Sequence, residues 1–447
     1  MPTVLLRRRQ AVPLVVCVLL SALAVRLLLG MLYENHFDID WYRAWADGLQ
    51  DGFFDCYARM TEGRHALDYP PLYLICLYAV GKLYALLPTS LYPMWDMLLI
   101  KLFPILFDVL LAGLLYICCR RYSEVMAVAV ACLWAVSPSA VFNCAAWGQT
   151  DGMMAFFLLL ALYTVEQDHP VAGSVLYAVA CLAKLQCLYF APVLFCYLWR
   201  RHSLQKAAVC VASALGTGIA AFLPFIAGSW HLRGWSALLT PFEVYCGGLG
   251  KYPYAALNTY NLWGLFNLNW VRDSRSLIGG VWDKELGYAV GGFTISHLSL
   301  ILTAAVLGLT VYAMLKGRRE VSLWMGCILL MQGIFCLTAR QHERYQLIVL
   351  PLLLIAFVRL CNWRLLWLYL SLTVVTFLNQ MMLLFRNNTF YEPAAPWAAI
   401  FATVQTIMSA VNLLLFAWSV WEVCRFAFAK TYPMPVNSAP AQKEDTP

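Results

Sequence analysis

The chain has 447 residues, 62% of them hydrophobic and only 12% charged, and a mean hydropathy of +0.68. Soluble domains carry ~25% charged residues, so this composition excludes a soluble globular protein and predicts an all-α, polytopic membrane protein embedded in a lipid bilayer. The net charge of +7 lies in short basic clusters at the ends of apolar runs, the pattern of topology signals, which argues against a nucleic-acid partner.

In chain order, Arg7, Arg8 and Arg9 precede an apolar run from Val12 to Met31 with no small-x-small cleavage site, which predicts a retained first span with its N-terminus in the cytoplasm. A polar first outer loop follows over 33–71. Leu72 to Leu87 is a marginal run that starts at Pro70-Pro71 and contains Lys82. If it crosses, Arg120 and Arg121 fall on the wrong face. If it lies along the interface or is re-entrant, the clusters Arg120/Arg121, Arg200/Arg201/Lys206, Lys316/Arg318/Arg319, Arg359/Arg364 and Arg425/Lys430 all fall inside, so the second arrangement is expected.

The later spans are expected at Met97 to Cys119, Val125 to Phe142, Gly152 to Val165, Val171 to Leu182, Leu188 to Trp199, Ala207 to Ile226, Thr294 to Leu315, Leu323 to Leu337, Leu347 to Val358, Leu365 to Leu384 and Ala398 to Phe426, about 12 transmembrane helices in all. A single transmembrane domain over 1–430 thus carries a second large outer loop over 228–293, rich in Trp, Tyr, Asn and Gly. That loop lacks strand-like alternation and is expected to be a loop with some local helix. The polar, Pro-rich segment 431–447 is expected to be a disordered cytoplasmic tail. The 16 cysteines lie mostly in apolar runs without C-x-x-C spacing; Cys56, Cys144 and Cys246 fall in expected loops, where a disulfide has weak support.

The polar motifs gather on the outer face. Asp38, Trp41 and Trp45 fall at i, i+3 and i+7, which on a helix sets a carboxylate beside two aromatic rings. Asp68-Tyr69-Pro70-Pro71, Trp147-Gly148-Gln149-Thr150-Asp151, Lys184 with Gln186, Tyr260 to Trp263, and Arg340-Gln341-His342-Glu343-Arg344-Tyr345 join them. Each has a plain structural explanation: an interfacial amphipathic helix, a proline break, a helix cap at Asp151, a snorkelling Lys184. The 340–344 cluster resists one most, because charges at bilayer depth cost ~3 kcal/mol each and normally pair, face water or hold a ligand. Asp38-Ile39-Asp40 also has the D-x-D form of a metal–nucleotide site. A nucleotide sugar belongs to the cytoplasmic side, so no cofactor is required and a divalent metal is a minor option.

Together these motifs resemble the GT-C superfamily of polyprenyl-phosphate-sugar-dependent glycosyltransferases. The nearer resemblance is to bacterial relatives of GPI mannosyltransferase II and to the dolichyl-phosphate-glucose-dependent glucosyltransferases of N-glycan assembly. Asp38, Asp40, Arg43 and Trp45 keep the spacing of the glucosyltransferases' first-loop motif, Asp68 to Leu72 matches D-Y-P-P-L, Trp147 to Asp151 matches W-G-Q-x-D, and His342 to Tyr345 matches H-E-R-Y, where the eukaryotic branch has Lys in place of Arg344. The resemblance implies an inverting transfer of a hexose, mannose or glucose, from a polyprenyl-phosphate donor to a glycan or glycolipid acceptor outside the cytoplasm, in a bacterial cytoplasmic membrane or an endoplasmic reticulum membrane. No added soluble domain resembling those of the protein-acting or aminoarabinose branches is seen, which favours a lipid-borne or cell-surface acceptor.

Such chemistry needs a carboxylate to take the acceptor proton and fixed cations or donors for the charge on the departing phosphate. Asp38, with Asp40 as its alternate, suits the first, and Arg344 and His342, with Lys184 and Arg340, suit the second. Arg43, Trp45, Asp68, Tyr69, Gln149, Asp151 and Glu343 complete the expected substrate-binding set. A polytopic transporter or lipid flippase is the rival reading. Its midplane charges and inverted repeats are not seen in the sequence.

Overall fold

The computed structural model describes residues 8–32, 36–61, 66–88, 92–317, 322–389 and 395–428. The expected tail over 431–447 lies outside them. The described helices, in order, are α1 (Arg8–Leu32), α2 (His36–Gly48), α3 (Cys56–Arg59), α4 (Pro71–Tyr84), α5 (Tyr92–Cys119), α6 (Glu124–Ala135), α7 (Pro138–Val141), α8 (Asp151–Glu166), α9 (Pro170–Ala183), α10 (Ala191–Arg201), α11 (Leu204–Arg233), α12 (Thr240–Gly250), α13 (Leu262–Leu265), α14 (Ile295–Lys316), α15 (Ser322–Leu337), α16 (Val349–Leu360), α17 (Trp363–Thr389) and α18 (Ala395–Phe428). The described residues are all-α apart from two short strand pairs.

Every apolar run foreseen as a span is helical, but only some reach spanning length. Six helices among the described residues are long and apolar enough to cross a bilayer, and the bent pair formed by α6 with Pro138–Ala146 would make a seventh. The others are short: α8 and α15 have 16 residues each, about 24 Å at 1.5 Å per residue, against a hydrocarbon core of ~30 Å. The count of twelve is therefore not reached by length alone. α4 has 14 residues and begins with Pro71 in its first turn, where a missing N–H does no harm. It buries one face, including Tyr73, Leu74, Leu77 and Val80, against α2, α5 and α9.

The core is built by close helix approach. Gly173 of α9 lies so near α8 that a Cβ would stand 2.3 Å from Val165 Cγ2 and 2.9 Å from the Ala161 carbonyl. Small residues of this kind let helices meet in lipid, where no hydrophobic force drives them together. By contrast, α1, α11, α14 and α18 bury only a small share of their residues inside the protein, as a lipid-facing perimeter does.

The segment 228–293 differs from expectation. α11 continues to Arg233, and after a 3-10 turn α12 extends the helical run to Gly250. Two antiparallel pairs then form, β1 (Ser276–Ile278) with β4 (Phe293–Thr294) and β2 (Val281–Asp283) with β3 (Tyr288–Val290). At two or three residues each, these strands are too short to show a period-2 pattern, and their turns rest on glycines with positive φ such as Gly279 and Gly287. All 16 cysteines are free, and Cys56, Cys144 and Cys246 lie on helical segments rather than loops.

The charged helix ends sort to two poles. Glu166 at the end of α8 pairs with Arg121 (2.8 Å) and Arg359 and accepts from Trp324 Nε1 (3.0 Å). Arg200 donates to the Gly317 carbonyl beyond α14 (3.0 Å). Arg364 and Arg425 meet the buried Glu422 at 3.4 and 3.8 Å. The opposite ends of α8, α10, α16 and α17 border a cavity.

Candidate active site

The cavity has a volume of about 620 Å3 and lies between α2, the turn before α4, the turn before α8, the segment after α9, the end of α12, the loop after α15 and the end of α17. Of the residues foreseen as site residues, Asp38, Asp40, Trp45, Asp68, Tyr69, Lys184, His342, Glu343 and Arg344 line it.

Asp38 is held from behind. Its Oδ2 accepts from the indole Nε1 of Trp147 and from Gln149 Nε2 (2.9 Å). Both donors come from the turn that follows a π-helical stretch at Phe142–Ala146, a local irregularity common at functional sites. Gly148 permits that turn: its φ is +79°, and a Cβ there would stand 2.8 Å from Ile39 Cδ1 on α2. Gln149 in turn accepts from the Tyr42 hydroxyl at 3.3 Å. Gln149 thus serves Asp38 from beneath rather than facing the cavity.

Asp40 is placed differently. About half exposed, it accepts from Arg43 Nη1 at 3.2 Å, and Arg43 reaches Asp96 at 2.6 Å. Arg43 therefore ties α2 to α5 and does not line the cavity. Trp45 is buried with its ring 5.3 Å from Tyr69 and 6.1 Å from Trp41, so the aromatic wall expected from the i, i+3, i+7 spacing is present.

A buried ionic cluster forms the inner end. Lys184, in extended backbone where α9 breaks, reaches back to Asp151 Oδ1 at 2.7 Å. Asp151 stands in the first turn of α8, but it also accepts from Asn143 Nδ2 (3.3 Å) and lies 3.8 Å from Arg344 Nε. Its carboxylate is thus engaged with Lys184 and Asn143 rather than serving as a cap, and Lys184, 4% exposed, does not snorkel. Arg344 Nη1 meets Glu343 Oε1 at 2.6 Å and its guanidinium lies over Trp147, 5.3 Å from the ring centroid. His342 lies 3.8 Å from Glu343 and packs on Tyr252 and Tyr345, both at 5.0 Å.

Burial opposes charge on all three residues of this loop, with different outcomes. It pushes the His342 imidazole below its ordinary 6.5 in spite of Glu343. It would raise the Glu343 carboxyl, but Arg344 and His342 outweigh it and hold that group below 4.5. Burial likewise works against the Arg344 guanidinium, yet Glu343, Asp38 and Asp151 outweigh it and keep it charged.

Arg340 does not join the cluster. It has a left-handed φ of +62° and pairs with Asp273 at 2.6 Å, away from the cavity. Charge and proximity in sequence suggested a site role; a backbone reversal at Arg340 turns its side chain to the second loop instead.

Several lining residues carried little or no sequence signal. Lys251, just past α12, reaches Asp68 at 2.6 Å and lies over Trp41, 4.4 Å from its ring centroid. Tyr252, whose hydroxyl burial pushes up to about 12, Trp270 and Arg386 complete that side. They belong to segments distant in sequence from the acidic motif, and only the fold brings them to it.

A sequence model of the ALG6, ALG8 glycosyltransferase family matches residues 57–429, more than four-fifths of the chain. No curated protein sequence matches it. The matched residues include Asp68, Asp151, Lys184 and the 342–345 motif, while the Asp38 helix lies just ahead of them. With its apolar helices and a single cavity wall of carboxylates, cations and aromatic rings, the chain belongs to the ALG6, ALG8 glycosyltransferase family, as a multi-pass membrane enzyme that uses a lipid-linked sugar.

Proposed function

We propose that this enzyme moves a hexose, glucose or mannose, from a polyprenyl-phosphate donor to a glycan or glycolipid acceptor on the extracytoplasmic face, with inversion at the anomeric carbon. The observation that carries the reading is Asp38: a carboxylate at the wall of a 620 Å3 cavity, fixed through Oδ2 by Trp147 and Gln149, opposite a loop with Arg344 and His342. In this mechanism the acceptor oxygen bonds to the anomeric carbon as its proton passes to Asp38. The bond from that carbon to the phosphate oxygen breaks, and the electron pair leaves with the lipid phosphate. As Asp38 takes the proton it loses its charge, so Arg344 and Lys184 become less compensated at the moment the phosphate gains charge. Asp40 and Arg43 hold α2 in place, and Trp41, Trp45 and Tyr69 offer rings to a sugar.

We further propose twelve crossings, with α8, α9, α10, α15 and α16 as short inner helices shielded from lipid, and α4 at the interface. The two poles of charge support this: Arg121, Arg200, Arg359 and Arg364 share one end, as cytoplasmic bases do. No metal is required in this mechanism. The test is purified enzyme with a panel of polyprenyl-phosphate hexoses, with and without chelator. Consumption of one donor, undiminished by chelator, is expected; no consumption of any donor refutes the reading and leaves the flippase alternative to be tested by lipid transbilayer movement.

A further inference from the structure

We propose that Arg386, at the rim of the cavity, holds the phosphate of the lipid-linked donor before reaction. The inference rests on the function proposed above and divides its charge work between two sets of cations.

Four Lys and Arg side chains line the cavity among the described residues: Lys184, Lys251, Arg344 and Arg386. Three already have carboxylate partners. Lys184 lies 2.7 Å from Asp151, Lys251 lies 2.6 Å from Asp68, and Arg344 lies 2.6 Å from Glu343 and 3.8 Å from Asp151. With Asp38 on the same wall, the inner end carries three carboxylates against Lys184 and Arg344. Such an end does not by itself attract another anion. Arg386 differs: its contact is from Nη1 to the neutral Asn258 Oδ1, at 3.5 Å, and no carboxylate among the described residues pairs with it.

The position is built, not incidental. Asn258 has a left-handed φ of +56°, its N–H donates to Asn269 Oδ1 at 2.9 Å, and its carbonyl accepts from Asn379 Nδ2 at 2.6 Å. The neighbouring Leu257 N–H donates to the Gln341 carbonyl, at 3.3 Å, on the loop that carries His342 and Arg344. A two-residue segment thus separates Arg386 from that loop, and both border one cavity. Arg386 ends α17 at the pole opposite the basic cluster of Arg121 and Arg359, so a topology signal does not explain it. A planar guanidinium whose other donors have no partner among the described residues suits two oxygens of a phosphate.

The phosphodiester of the donor carries one negative charge and the departing polyprenyl phosphate gains a second. Arg386 binds the first, in the ground state, and Arg344 and Lys184 respond to the second, in the transition state. The two sets should therefore separate in kinetics: binding of ground and transition state alike appears in KM, and binding of the transition state alone in kcat.

The test uses the full chain in nanodiscs of zwitterionic lipid, with whichever polyprenyl-phosphate hexose the wild type consumes. Arg386→Gln should raise KM for donor about tenfold with kcat within about twofold, and Arg386→Lys should fall between. The Kd for polyprenyl phosphate alone should rise by the same factor, whereas Arg344→Gln should act mainly on kcat. Unchanged KM and Kd in Arg386→Gln overturn the proposal. So does an effect confined to discs with phosphatidylglycerol, which makes Arg386 a contact for bulk anionic lipid, or a fall in Tm and kcat at constant KM, which makes it a prop for Asn258. A wild type that consumes no polyprenyl-phosphate hexose refutes the proposed function itself, and is distinguished by that.

Discussion

Replacement of Asp38 by Asn separates a catalytic carboxylate from a structural one. Asn has nearly the same shape, and its amide oxygen can keep both hydrogen bonds that Oδ2 now accepts from Trp147 and Gln149. What changes is their charge assistance. Hydrogen bonds to charged groups contribute about 1.5–3 kcal/mol and neutral ones about 1, so the two bonds together lose on the order of 1–4 kcal/mol. Reduced charge at the inner end, where Asp38, Asp151 and Glu343 face Arg344 and Lys184, offsets part of that loss, and the folded protein should survive. The reaction should not: loss of a general base lowers turnover by at least ~100-fold, about 2.7 kcal/mol in the barrier. Asp40→Asn removes a half-exposed partner of Arg43, a pair worth at most ~1 kcal/mol, and should keep turnover within about threefold, since its place is not the base's. The assay is donor consumption by purified variants, with Tm measured in the same detergent. Near wild-type turnover in Asp38→Asn with a dead Asp40→Asn exchanges the two roles, and activity in both refutes the mechanism.

Other outcomes follow from the same geometry. Asp151→Asn leaves Lys184 and Arg344 buried with one carboxylate fewer, so unfolding by heat should reveal a loss of ~3–5 kcal/mol, and adding Lys184→Met should recover part of it; an unchanged Tm contradicts the buried pair. His342 and Glu343 both titrate below their ordinary 6.5 and 4.5, so the unfolded chain binds more protons in those windows and stability rises with pH there. Tm should therefore be highest above pH 6.5 and fall as pH drops through the folded value of His342, less steeply in His342→Gln; a Tm that rises on acidification refutes this. For topology, the exposed Cys246 on α12 and Cys361 after α16 mark opposite poles. A membrane-impermeant maleimide on intact cells should label Cys246 and reach Cys361 only after permeabilisation, and the reverse pattern inverts the proposed orientation.

Composition and period by themselves determined a great deal. Sixty-two per cent apolar residues in runs broken by basic clusters leave the backbone no choice but helix in lipid, and each foreseen run is helical. The Asp38, Trp41, Trp45 spacing set one helix face because 3.6 residues per turn does so in any context. The 147–151 and 342–345 motifs were legible because polar residues at the ends of apolar runs need a reason to be there. Tertiary structure decided which of these charges meet. It joined Lys184 and Arg344 to Asp151, put Gln149 behind Asp38, and turned Arg340 away through a single left-handed residue. It also folded 276–294 into strand pairs too short to have a period, and brought Lys251 and Arg386 to the cavity from segments with no motif of their own. The reason is one of range. Hydrophobic period and helix geometry act within a few residues of the chain, whereas contacts such as Gln149 with Asp38, Lys251 with Asp68 and Arg344 with Asp151 join residues more than a hundred positions apart, and their energies depend on distances that only the packed helices fix.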